Sequence, residues 1–96
     1  MKLIWSPSAK RDLARVYEFL SPKNAKAAGD RVIALLGITH SMLQFPQAGE
    51  QIEDYLPREV RQRHVAEYEV RYEIKGDTIR VLRVWHQRED RPMLTY

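Results

Sequence analysis

The spacing of apolar residues changes period once along this chain. From Pro7 to Gln44 they recur at helical intervals, and from Pro57 onward they alternate in the two-residue rhythm of a strand. A chain of 96 residues has room for one modest core, so its two halves must share it. Two helices laid on one face of a small sheet meet that demand. The expectation is an α+β fold in a single domain, residues 1–96, with element order β-α-α-β-β-β and a small, twisted, mostly antiparallel sheet.

Lys2-Leu3-Ile4-Trp5 reads as a short first strand. Ser6-Pro7 has the form of an N-cap followed by proline at the first helical position, where the missing N–H costs nothing. Ala9, Leu13, Val16, Tyr17 and Leu20 then make one apolar helix face, with Lys10, Arg11, Arg15 and Glu18 largely off it. Ser21-Pro22-Lys23-Asn24 breaks that helix, and a second runs from about Ala25 to Gln44 with Ala28, Val32, Leu35, Leu36, Met42 and Leu43 turned to the core. The short connection makes the pair an antiparallel hairpin. Gly29 and Gly37 each cost the second helix roughly 1 kcal/mol against alanine, or admit close approach of the first helix. Residues 50–57 read as a loop, with Tyr55 and Leu56 pinning it to the core. Strands follow at Val60–Val65, Tyr68–Ile74 and Ile79–Trp85, the last two joined by a turn at Lys75-Gly76-Asp77-Thr78. Tyr68, Val70, Tyr72 and Ile74 share one face. Val81, Leu82 and Val84 break strict alternation, the mark of a bulge or of a strand covered on both faces.

Composition removes several classes of protein. No run of about 18 apolar residues is present, so a membrane-spanning helix is not expected. The apolar stretch at the start is too short for a signal peptide. Without cysteine there are no disulfides, thiolate nucleophiles or cysteine-ligated zinc, and a cytoplasmic protein fits. Four scattered glycines form no phosphate loop, and His40, His64 and His86 lack metal-ligand spacing, so neither cofactor nor metal is expected.

One constellation of reactive side chains remains: Arg61, Arg63, Arg71, Arg83, His86 and Arg88. Arginine supplies 11 of the 16 basic residues, and eight of those lie between Arg58 and Arg91, interleaved with carboxylates. Arginines gripping a phosphate, with a histidine to move a proton, could cleave RNA through its own 2′-OH. The same arginines suit cross-strand ion pairs with Glu67, Glu69 and Glu73, and spacing leaves both readings open. Tyr68 and Tyr72 are the one pair placed to stack on bases; the other aromatics fall on or near apolar stripes.

Ordered motifs run through nearly the whole chain: Trp5-Ser6-Pro7-x-Ala9-x-x-Asp12-Leu13-x-x-Val16-Tyr17, then Ala27-Ala28, Phe45-Pro46-x-x-Gly49 and Arg58-Glu59-Val60-Arg61. Tyr68-Glu69-Val70-Arg71-Tyr72 and Val81-Leu82-Arg83-Val84-Trp85-His86-x-Arg88-Glu89-Asp90 complete the set. Together they resemble the RelE/ParE superfamily of bacterial type II toxin–antitoxin toxins, often labelled plasmid stabilisation proteins. The resemblance implies a helical hairpin on an antiparallel sheet and one of two activities. RelE-like members are ribosome-dependent mRNA endonucleases, and ParE-like members poison DNA gyrase without cutting nucleic acid themselves.

Residues that match the nuclease pattern are incomplete. Where nuclease members carry an arginine three residues before the tyrosine matching Tyr72, this chain has Glu69, which would repel a phosphate. His86 matches the nuclease histidine, but Gln87 stands where a tyrosine follows it. The segment Trp85-His86-Gln87-Arg88-Glu89-Asp90-Arg91 resembles the ParE-like ending. The resemblance therefore implies a gyrase inhibitor, with Arg61, Arg63, Arg83, His86 and Arg88 as its gyrase-binding candidates and no catalytic residue. In the nuclease alternative Arg61, Arg63, Arg83 and His86 would be catalytic, on ribosome-bound mRNA. A decayed member that only binds antitoxin is the third reading. An antitoxin partner is implied in every case, and specific DNA binding by this chain alone is not. Residues 1–48 carry seven bases and three acids, against nine and ten in residues 49–96. That +4 helical half suits an acidic antitoxin segment, with Lys10, Arg11 and Arg15 as the contact candidates.

Overall fold

A computed structural model of the chain describes residues 1–88. Its elements are β1 (Lys2–Trp5), α1 (Pro7–Leu20), α2 (Ala25–Gln44), β2 (Glu50–Gln51), β3 (Glu59–Val65), β4 (Tyr68–Lys75) and β5 (Thr78–His86). Two 3-10 turns, Pro46–Ala48 and Glu53–Tyr55, flank β2. The five strands form one sheet in the order β1-β5-β4-β3-β2, antiparallel except where β1 runs parallel to β5. Two helices on a mostly antiparallel sheet is the architecture expected from the change of period. The 50–57 segment differs: Glu50 and Gln51 pair with Gln62 and Arg61, adding a strand too short to show any alternation.

Each helix starts where its cap dictates. Ser6 Oγ accepts the Ala9 N–H at 3.0 Å and donates to the Leu82 carbonyl at 2.9 Å, so one hydroxyl both opens α1 and moors it to β5. Asn24 Oδ1 accepts the Ala27 N–H at 3.0 Å and opens α2. Ala9 and Val16 of α1 and Leu35, Ile38 and Met42 of α2 pack on Tyr68, Val70, Tyr72, Ile79, Val81 and Val84. Burying a side chain such as Leu35 or Met42 stabilises the fold by about 1.5–3 kcal/mol. Three expected core residues lie elsewhere. Tyr17, Leu36 and Leu43 are exposed, because they sit on the outer sides of their helices. Among the described residues nothing outside the local helix backbone comes within 4 Å of a Cβ built on Gly29 or Gly37, so neither admits the first helix.

The irregular spacing in β5 is a bulge. Arg71 pairs with Arg83 and Tyr72 with Val81, leaving Leu82 as the extra residue. The bulge lets Val81 and Val84 both face the helices while Arg83 and Trp85 take the other face. On that other face Trp85 and Val60 are still buried. The Arg71 guanidinium lies over both the Trp85 ring (4.7 Å) and the Tyr55 ring (5.9 Å), and the Arg83 guanidinium lies 5.1 Å from Trp85. Tyr55 thus pins its loop as expected, though to the back of the sheet. Leu56 is exposed and pins nothing.

Candidate functional site

The arginine constellation does not converge. Register places Arg61 beside Tyr72 on the helix-facing side of the sheet and Arg83 beside Arg71 on the opposite side. Arg61 is occupied structurally: its Nε donates to Glu59 at 2.9 Å and its Nη1 to the Gly49 and Gln47 carbonyls at 2.8 and 3.3 Å. Arg63 Nη1 donates to Ser41 Oγ at 2.7 Å, joining β3 to α2. Arg71 Nη2 holds Glu69 at 2.8 Å. With the Gln62 amide nitrogen turned toward that carboxylate, it donates to both Glu69 oxygens at 3.1 Å. Glu69 is therefore a buried side chain held by Arg71 and Gln62, and the Arg71 guanidinium is engaged by it.

Arg83 meets the residue that sequence reasoning missed. Asp12, on α1, is 2% exposed. Its carboxylate receives Arg83 Nε at 2.8 Å, Arg83 Nη2 at 3.2 Å and the Val84 backbone N–H at 2.8 Å. The last bond satisfies an N–H of β5 beyond the end of β1, where that strand has no neighbour. The clue was available: Asp12 lies three residues after Ala9 and four before Val16, inside the apolar stripe.

Tyr68 and Tyr72 do not form a stacking platform, since both are buried. The Tyr72 hydroxyl donates to the Pro46 carbonyl at 2.7 Å and accepts the Gly49 N–H at 3.1 Å. Burial raises its pKa above the usual 10.0, with the Gly49 hydrogen bond opposing. A Cβ at Gly49 would clash with this hydroxyl, with the Gln62 carbonyl and with the Arg63 side chain. Tyr72 and Gly49 are a structural lock between the end of α2 and the sheet.

What the fold does assemble is a groove between α1 and the end of β5. It encloses about 720 Å³ and is lined by Arg15, Val16, Phe19, Tyr68, His86 and Arg88. Its walls are apolar, with Phe19 70% exposed, and its rim is cationic. The His86 ring meets Tyr68 edge-on at 5.3 Å, and its Nδ1 accepts the Arg88 N–H at 3.1 Å. A smaller polar cleft of about 520 Å³ adjoins it, lined by Ser8, Arg11, Asp12, Arg15, Glu18 and Arg83. Arg15 borders both, and lies 3.4 Å from Asp12. Of the α1 candidates, Arg11 and Arg15 reach a cleft, whereas Lys10 is an exposed neighbour that lines neither. Among the described residues no cluster of histidine and carboxylate side chains could hold a metal ion.

Fold and site define a small α+β domain with an apolar groove along α1 rimmed by Arg15 and Arg88. The chain belongs to the ParE toxin family of the type II toxin–antitoxin system parDE, whose family model matches residues 3–91. Among solved structures it resembles a chain of the chromosomal ParDE TA system from P. aeruginosa, with a TM-score of 0.75 and 21% identity. That match covers 90% of this chain and 95% of the other. No curated protein matches it in sequence.

Proposed function

We propose that this ParE-family toxin acts by occupying DNA gyrase, and that an antitoxin neutralises it by laying an acidic amphipathic segment along α1. The observation that carries the binding reading is the state of the arginines. Arg61, Arg71 and Arg83 already hold Glu59, Glu69 and Asp12, and they are divided between two faces of the sheet. Stabilising a phosphoryl transition state needs charges aimed at one point and not already neutralised. The groove supports the antitoxin half of the reading. Val16, Phe19 and Tyr68 offer apolar anchorage, and Arg15 and Arg88 offer complementary charge for carboxylates.

Arg88 and His86 at the groove, with Arg83 at the neighbouring cleft, remain the gyrase contacts proposed for this chain, and they overlap the antitoxin's footprint. Overlap would make neutralisation competitive. The test is a supercoiling assay with gyrase, plasmid and ATP, scored for both lost supercoiling and cleaved linear DNA. The reading expects inhibition, relieved by antitoxin and kept in Arg61→Gln. Absence of any effect on gyrase, together with transcript cleavage in a translating extract that His86→Ala abolishes, would replace it with the nuclease reading.

A further inference from the structure

The outward side of α2 is apolar, neutral and unfilled. Its core side carries Ala28, Leu35, Ile38 and Met42. Ile33, Leu36, His40 and Leu43, spaced three, four and three residues apart, run along the opposite side. Ile33 is 68% exposed, Leu36 44% and Leu43 38%. From Val32 to Gly49 there is no Asp, Glu, Lys or Arg, in a chain with 16 basic and 13 acidic residues. Depletion of charge from an exposed apolar patch marks the centre of a protein interface. The stripe ends at its N-terminal side in the exposed Lys26–Asp30 ion pair, at 3.0 Å, which has the character of a polar rim.

The glycines are the independent second observation. Each costs α2 about 1 kcal/mol relative to alanine, yet among the described residues no other part of the fold comes within 4 Å of a Cβ at either position. No packing contact among the described residues accounts for them. Bare backbone beside Leu36 does suit a second helix at close range, where a large side chain on one helix fills the space over a glycine on the other.

We propose that this face docks a second copy of the chain, the two α2 helices packing antiparallel about a two-fold axis near Leu36 and Gly37. In that arrangement each Leu36 lies over the partner's Gly37 and each Ile33 meets the partner's His40. An isologous contact sets a patch against itself, so like charges would oppose one another unless the patch has none. This is the one long segment that satisfies that condition. An acidic antitoxin segment, by contrast, finds no cation here and has the α1 groove instead. Three helical turns bury less than a standard interface, so the dimer is a micromolar one. The proposal does not depend on the gyrase reading.

Sedimentation velocity of the purified chain, from about 1 to about 500 µM, tests it. The expected result is a reversible monomer–dimer shift that added salt leaves in place, since no ion pair drives it. Leu36→Glu should hold the chain monomeric at every concentration while its unfolding midpoint in urea, measured at the lowest concentration, stays unchanged. Gly37→Ala should weaken the dimer several-fold while raising monomer stability, two opposite effects that a purely internal role would not give. A monomer at the highest concentration, or a dimer that survives Leu36→Glu, would overturn the proposal. So would a Leu36→Glu chain that self-associates normally but no longer binds antitoxin, which would assign the stripe to the antitoxin.

Discussion

The two helices lie on the same sheet face, yet they present opposite surfaces to solvent. α1 is charged on its outer side and reaches inward with Asp12 to take the Val84 N–H and the Arg83 guanidinium. α2 buries no charge, and from Val32 onward its outer side is uncharged and largely apolar. One helix uses polarity to complete the sheet edge and border two clefts, and the other leaves apolar surface uncovered. Buried polar contacts depend on each partner being present, so they are costly to break singly. Exposed apolar residues contribute little to the fold and are available for association.

Substitutions can break that comparison. Asp12→Ala strands a buried N–H and a guanidinium, and should cost about 3 kcal/mol in urea denaturation. Asp12→Asn keeps an acceptor for Val84 and should cost roughly half as much. Ile33→Ser, at the same readout, should stay within about 0.5 kcal/mol. Equal losses at Asp12 and Ile33 would erase the distinction between the helices.

Tyr72→Phe should cost about 1–2 kcal/mol, because it leaves the Gly49 N–H buried without its acceptor. The pH dependence follows from the raised pKa. The neutral phenol is favoured in the folded state, so its contribution is intact below pH 10.0 and drains as pH rises through the higher folded value. The Phe variant should show a flatter alkaline limb in the same denaturation series.

Gly29→Ala should stabilise the monomer by up to about 1 kcal/mol, visible as a raised thermal midpoint, since a Cβ there meets nothing. A small effect also belongs to the partly exposed Arg58–Glu73 ion pair. Hydrogen bonds from Arg58, at 2.8 Å, lower the Glu73 pKa from 4.5. Its contribution is therefore present above pH 4.5 and lost as pH falls through the lower folded value. Glu73→Gln should flatten that acid limb by under about 1 kcal/mol.

The sequence carried the architecture because it depends on period. Alternation in residues 68–74, helical spacing from Pro7 onward and the Ser6-Pro7 cap are local signals, and the broken alternation at Val81-Leu82-Val84 pointed to a bulge or a doubly covered strand, between which only the register decides. Phase was harder to read. α2 is uncharged over its last turns and carries adjacent leucines, so spacing could not say whether Leu35 or Leu36 faces the sheet. Strand register was invisible too. Arg61 and Arg83 look alike in the sequence, and only pairing through the Leu82 bulge sends them to opposite faces. Asp12 was overlooked because a charged residue in a helix is ordinarily read as solvent-facing, although its position in the stripe said otherwise.

The most direct test of separate roles for the two helices is to measure both associations on two variants, Arg15→Glu/Phe19→Ser on α1 and Leu36→Glu on α2. Antitoxin affinity by calorimetry and self-association by sedimentation would be read for each. The account predicts that the α1 variant loses antitoxin and still dimerises, while the α2 variant stays monomeric and binds antitoxin normally. Loss of antitoxin binding by the α2 variant, with the α1 variant unaffected, would contradict it.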